Sequence, residues 1–263
     1  MTTPRVAVRS VPKVGAPRQS PICYLVSMTI NARDPFFPFH ALGLCGNPFR
    51  ALTDEEWADV AVLRESLVAA LASDSHVQIL GPAGSGKTTA LLGMADRLAR
   101  DGLRVAYEYI PEGRHRFTTR LADLDAFALD EAQRLDRWQR WRLLRRLRRS
   151  GRSLRLLVAT HEDLTPLFAR HNQPLRTTYA DRLTEADLAA ILDRRLRRFA
   201  IGGEAAIAFA PDATRWLHLS FGSDLRRLTH FLYEVFARLT TPGAITATDL
   251  QRMSHLLRRG VDS

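Results

Sequence analysis

The sequence predicts an α/β chain: a five-stranded parallel sheet sandwiched by helices, followed by a small all-helical domain. Three observations carry this expectation. Between residues 76 and 180 short apolar runs alternate with amphipathic stretches of helical length, the pattern of a parallel sheet covered on both faces. After Leu183 only helical periodicity remains. A glycine-rich turn, GPAGSGKT at 81–88, joins the first strand of the alternation to its first helix.

The elements follow in order. Residues 1–35 mix Pro, Arg, Val and Ser without a sustained period and read as a disordered arm in which Met28 is an alternative start. The Pro- and Phe-rich segment at 34–49 is expected to pack as irregular chain. One amphipathic helix then runs to Ser73, with Thr53 as N-cap, Glu56 in the capping-box position and Trp57, Val60, Leu63, Leu67 and Leu71 along one side. Strands are predicted at 76–80, 103–110, 126–129, 154–160 and 176–180, with helices at 87–100 and 135–149. Four helices at 185–199, 212–220, 224–239 and 248–259 make up the rest. The expected division is an arm at 1–35, an α/β core at 36–182 and a helical domain at 183–263.

Composition excludes several classes. The 46% hydrophobic and 25% charged fractions are those of an ordinary soluble chain. The longest apolar runs, such as 205–210, fall far short of the roughly 20 residues that span a bilayer. The apolar piece from Ile22 to Met28 is short and lacks a cleavage pattern, so a cytoplasmic location is expected. Cys23 and Cys45 form neither a disulfide framework nor a metal-ligand spacing and read as two free thiols.

A formal charge of +10 points toward polyanions. However, lysine occurs only at positions 13 and 87, and the other 36 of the 38 basic residues are arginine, so part of the basicity reflects a composition bias. The same bias singles out Lys87. A compact ammonium between phosphates is not replaceable by a planar guanidinium, which explains the one exception in the folded part of the chain.

Gly81 to Thr88 matches the phosphate-loop pattern G-x-x-x-x-G-K-[ST], between a predicted strand and a predicted helix. Gly81, Pro82, Ala83, Gly84, Ser85, Gly86, Lys87, Thr88 and Thr89 are the expected nucleotide cradle: backbone N–H groups point inward and the helix N-terminus adds a favourable dipole. Lys87 is placed for the β- and γ-phosphates and the Thr88 hydroxyl for Mg²⁺. In AFALDEAQRL an apolar strand runs into Asp130 and Glu131. Asp130 is placed to hold Mg²⁺ and Glu131 to orient and deprotonate an attacking water; the pair alone is equally consistent with capping the next helix.

With these motifs the chain resembles the AAA+ ATPases over about residues 41–259. GNPFRALTDEEW before the loop and DEAQRL at the acidic motif resemble the general-secretion and transposition branch, which is related to origin-recognition initiators. The resemblance implies a helical lid at 183–263 and ATP with Mg²⁺ as cofactors. It implies a first sensor at the end of LRLLVAT, for which Thr160 is chosen over His161; a strand-end Thr satisfied by backbone is the alternative. It implies a second-sensor arginine in GSDLRRL, Arg226 by spacing with Arg227 as the alternative. It also implies an arginine finger reaching a neighbouring copy, for which Arg170 is best placed, with Arg176 and Arg182 behind it. One departure stands out. Only 111–125 separate the second strand from the acidic-motif strand, so the helix usual there is shortened or lost, and with it the region that contacts DNA in initiators. The absence of a membrane span or cell-wall module weakens the secretion reading.

From Arg134 to Arg155 ten arginines interleave with Trp138 and Trp141. Leu135, Trp138, Leu144 and Leu147 are expected to face the sheet, leaving Arg137, Arg140, Arg145, Arg148 and Arg149 toward solvent. Such a face grips phosphates without reading sequence, or is simply a solvated face. The expectation is therefore an ATP-hydrolysing protein that assembles with copies of itself and acts on a partner, DNA among the candidates. The alternative is a nucleotide-gated switch with little turnover and a protein partner. A small-molecule kinase is disfavoured because Glu131 suits a water nucleophile.

Overall fold

The computed structural model of the chain describes residues 9–10, 38–73, 75–150 and 154–259. Most of the expected arm, with Met28 and Cys23, lies outside them. The chain divides into two compact units, the described parts of which are Arg9–Ser10 with Leu63–Asp181, and residues 38–62 with 182–259. The expected core began at residue 36; residues 38–62 instead cluster with the helical part.

The first unit is built on strands β1 (Arg9–Ser10), β2 (His76–Leu80), β3 (Val105–Tyr109), β4 (Ala126–Asp130), β5 (Arg155–Thr160) and β6 (Leu175–Tyr179). Their order is β1-β3-β4-β5-β2-β6. The five expected strands are all parallel, and β1 adds an antiparallel edge against β3. Strand alternation divides the apolar side chains between two faces. On β4 and β5, Phe127, Leu129, Leu156 and Val158 enter one cluster, while Ala126, Ala128, Leu157 and Ala159 enter the other. The first cluster is closed by Leu143, Leu144 and Leu147 of one helix, the second by Leu91, Met94 and Leu98 of another. On β2 the alternate positions are polar and buried. Gln78 is satisfied there by Asp163, Thr177 and the Leu164 N–H, which ties β2 to the chain leaving β5.

The helices of this unit are α2 (Glu65–Leu71), α3 (Lys87–Arg100), α4 (Arg137–Ser150) and α5 (Thr165–Arg170). The sequence predicts one helix up to Ser73; the structure has two, α1 (Asp54–Val60) in the second unit and α2 in the first, broken at the extended residues Ala61 and Arg64. The stripe of apolar residues is continuous, but its halves belong to different units, which periodicity alone does not reveal.

Two further features bear on the site, the first as expected from the short 111–125 connection. The β3–β4 crossover has no helix. Instead Phe117 and Leu121 plug the sheet face, and the buried Glu108 carboxylate accepts four hydrogen bonds, from the backbone N–H and hydroxyl of both Thr118 and Thr119. A strand carboxylate thus supplies the acceptors that a helical turn would have provided. On α4 the inward set is Gln139, Leu143, Leu144 and Leu147, whereas Trp138 is 58% exposed. The expected apolar face was counted from Leu135, which lies outside the helix: a 3-10 turn, Ala132–Arg134, intervenes and Asp136 caps α4 through the Gln139 N–H. Leu135, Leu144 and Leu147 are buried as expected, and of that set only Trp138 faces outward.

The second unit holds α6 (Glu185–Phe199), α7 (Pro211–Phe221), α8 (Leu225–Phe236) and α9 (Ala247–Arg259) around one apolar cluster, with α1 packed on α6. Thr53 and Glu56 form the predicted capping box. The Asn47-Pro48-Phe49 turn anchors Phe49 against Phe209 and Phe236, with Asn47 accepting from the Phe49 N–H and donating to the Tyr233 carbonyl. Strands were not expected here, yet β7 (Ile207–Phe209) and β8 (Gly243–Ile245) pair in parallel; three residues are too few for alternation to show in a sequence. Cys45 is disulfide-bonded, contrary to the free thiol expected.

A cation lies inside this unit. Arg195 is 3% exposed, its guanidinium within 4.7 Å of the Trp57 ring centroid and 5.5 Å of that of Phe49. Two of its three nitrogens lack a hydrogen-bond partner. Burial, aided by repulsion from Arg50, pushes its pKa down to about 10. Arg195→Met keeps similar bulk without the charge and is expected to stabilise the chain by about 1–2 kcal/mol in urea unfolding; a loss of stability would mean that the contacts with the two rings outweigh desolvation.

Candidate functional site

The site is assembled at the carboxyl end of the sheet, where β2, β4 and β5 finish in register: Ile79 pairs with Ala159 and Ala159 with Asp130. The chain leaves β2 through residues 81–86. A Cβ at Gly81 would lie 2.8 Å from Ser85 Oγ and 3.2 Å from Ala180 Cβ, so a side chain there would displace Ser85 and crowd Ala180. Gly84 and Gly86 take φ of 81° and 86°, the left-handed region that a Cβ disfavours. Gly86 is the N-cap of α3 and supplies no side-chain cap. The first N–H groups of a 14-residue helix therefore face a backbone cradle, an anion site by geometry and dipole.

Lys87, nearly buried, donates from Nζ to the Pro82 carbonyl at 2.8 Å. The Thr88 hydroxyl donates to Asp130 Oδ2 at 2.8 Å. Asp130 also receives the Tyr107 hydroxyl at 3.3 Å and the Glu131 N–H at 2.9 Å. Burial pushes its carboxyl above the usual range, opposed by the Thr88 and Glu131 N–H hydrogen bonds, and the Glu131 charge adds to the rise. A buried carboxylate and a hydroxyl side by side are hard oxygen donors that suit Mg²⁺, which completes its shell with phosphate oxygens and water.

Glu131 adopts φ 58°, ψ 41°, a conformation that costs a non-glycine residue about 1–3 kcal/mol and persists at sites where the surroundings enforce it. Its carboxylate is held by Gln133 Nε2 at 2.6 Å, Arg134 at 3.3 Å and His161 Nε2 at 3.5 Å. The same His161 Nε2 is 3.4 Å from Lys87 Nζ. Lys87 and Glu131 thus meet across one imidazole.

Lys87, Thr88, Asp130 and Glu131 are therefore together. Thr160 is not with them: its hydroxyl is closed on Glu162, accepting from the N–H and donating to the carbonyl, both at 3.0 Å. His161, passed over in the sequence, holds the position instead. The register explains why, since Thr160 still pairs with Leu80 in the ladder and the next residue is the first one beyond the sheet. Tyr107, Gln133 and Arg134 were also missed; only Gln133 and Arg134, just after the acidic pair, carried any signal. Arg170 is exposed at the end of α5, Arg176 is exposed and donates to the Ala69 carbonyl, and Arg182 is exposed. Arg226 and Arg227 lie exposed in the first turn of α8 in the second unit. Arg140, expected toward solvent, turns back to the Leu135 and Gln133 carbonyls and to Glu162.

A family model described as Novel STAND NTPase 5 matches residues 55–166. Among solved structures, the RuvB Holliday junction branch migration motor of Thermotoga maritima superimposes with a TM-score of 0.52 at 17% identity, over 80% of this chain and 73% of that one. A point mutant of the same protein gives 0.55 at 17% identity, over 81% and 73%. The likeness to that motor is one of fold, a parallel sheet with helices on both faces and a further helical part. No curated protein is significantly similar in sequence. Among the described residues, no helix is long and apolar enough to cross a membrane.

Proposed function

We propose that the chain is a Mg²⁺-dependent ATPase whose cycle drives assembly with copies of itself and action on a polyanionic partner through α4. The observation that carries the enzymatic part is the meeting of Lys87 and Glu131 at His161, which supports reading them as a phosphate-binding cation and a general base of one reaction. In this reading Lys87 Nζ exchanges the Pro82 carbonyl for phosphate oxygens, and Glu131 orients a water and takes its proton. Thr88 and Asp130 hold Mg²⁺, which when bound supplies charge to the phosphate oxygens. His161 donates toward the same centre in place of Thr160. The finger role of Arg170 and the sensor role of Arg226 rest on the resemblance alone.

A switch with little turnover is the second reading, favoured by the three partners that restrain Glu131. Phosphate release from ATP separates the two. Turnover that requires Mg²⁺ and stops with a chelator is expected; tight ATP binding with release at background in every condition selects the switch.

A further inference from the structure

We propose that the exposed face of α4 binds single-stranded nucleic acid, with Trp138 and Trp141 as stacking platforms for bases and the neighbouring arginines Arg142, Arg145, Arg148 and Arg149 on the phosphates. This deepens, and rests on, the reading of α4 as a polyanion-binding face. Trp138 and Trp141 are 58% and 45% exposed, an unusual placement for two indoles on a helix whose aliphatic residues are all buried. Three residues apart, they lie on the same face of the helix, a separation that suits successive unstacked bases.

Each indole comes with its own cation. The Arg142 guanidinium sits 5.6 Å from the Trp138 ring centroid and that of Arg145 sits 5.1 Å from Trp141. These contacts order two guanidiniums beside the rings rather than leaving them to sweep through solvent, which lowers the entropy lost on binding. Arg148 and Arg149 extend the exposed row, and the helix contains no acidic residue from 137 to 150. Arg142 also lies 5.6 Å from the Phe117 ring centroid, so the helix-less crossover, with Arg116 and Arg120 exposed, continues the basic surface.

The chemistry discriminates among anionic partners. Arginines alone would serve a duplex equally, but a duplex keeps its bases stacked and leaves two exposed indoles unused; a single strand offers both a π-face and a phosphate at each step. Insertion into a lipid surface needs an aliphatic face, and the leucines of α4 are buried against the sheet. A protein partner would need a pocket for each ring, and the guanidinium beside each indole makes that burial costly.

The test uses the whole chain and four probes: a labelled oligothymidylate, a duplex of the same length, heparin as a polyanion without bases, and vesicles of phosphatidylglycerol. Quenching of tryptophan fluorescence and anisotropy of the labelled strand are read against salt. The single strand is expected to bind tighter than the duplex. Trp138→Ala with Trp141→Ala is expected to weaken the strand by at least about 10-fold, the scale of losing two stacked bases, while heparin binding is unchanged. Phe at both positions is expected to restore most of the loss, which separates stacking from misfolding. If the alanine pair binds the single strand as the wild type does, or if the duplex or the vesicles bind tighter, single-strand recognition is overturned while a charge-only face survives. If no probe binds, the polyanion reading fails with it.

Discussion

Glu131→Gln is expected to stop phosphate release while leaving the nucleotide bound. The substitution is isosteric and keeps the backbone hydrogen bond from residue 131 to Asp130 Oδ1, so the Mg²⁺ donors stay in place. It removes the one carboxylate that lies both beside His161 and opposite Lys87, and the loss of a positioned general base lowers turnover about 10²- to 10⁴-fold. Binding should not weaken. The Glu131 charge contributes to the raised pKa of Asp130, so neutralising it makes Asp130 easier to ionise and Mg²⁺ easier to hold. Single-turnover phosphate release together with calorimetric titration of ATP checks both halves. A variant that keeps turnover within about 10-fold of wild type would remove Glu131 from the reaction, because general-base contributions begin near 10².

The sequence disclosed the parts of this site that depend on local chain chemistry. A strand, a glycine turn and a helix in immediate succession leave few alternatives for where phosphate sits, and helix α3 begins at Lys87, as its pattern predicts. Residues whose roles depend on pairing between distant segments were hidden. Nothing local tells that Tyr107 on β3 reaches Asp130 on β4, or that Thr160 spends its hydroxyl on the next turn and hands the position to His161. The same distinction applies to the fold. The α4 stripe is apolar enough to be recognised as a helix, and Leu144 and Leu147 face inward as read, but Trp138, about two and a half turns before Leu147, stands on the opposite side. The crossover without a helix was legible because length alone limits it, whereas the carboxylate that replaces the helix, Glu108, reads in sequence as an ordinary strand residue.

Asp130→Asn should act in opposite directions on the empty and the loaded protein. Burial raises the Asp130 carboxyl pKa above its value of 3.8 in the unfolded chain, so the folded state binds the proton more tightly. Between those two pKa values stability falls as pH rises, and at neutral pH the full cost of the buried charge is present. Asparagine removes that cost and still accepts from the Glu131 N–H through its carbonyl while its amide faces the Thr88 and Tyr107 hydroxyls. The melting temperature of the ligand-free protein at neutral pH is therefore expected to rise, and the rise to shrink as the pH is lowered toward the folded-state pKa. Mg²⁺ with ATP should reverse the ranking. A ligand at 100 times its dissociation constant stabilises a native state by about 2.7 kcal/mol; the wild type is expected to gain on that scale, and the variant, without its anionic donor, to gain far less from Mg²⁺. Thermal scans of both proteins, with and without Mg²⁺ and ATP, read all four values. If the ligand-free variant instead melts lower, the three hydrogen bonds to the carboxylate outweigh its burial and Asp130 is a structural tie. If it melts higher yet gains as much from Mg²⁺ as the wild type, the metal is held elsewhere.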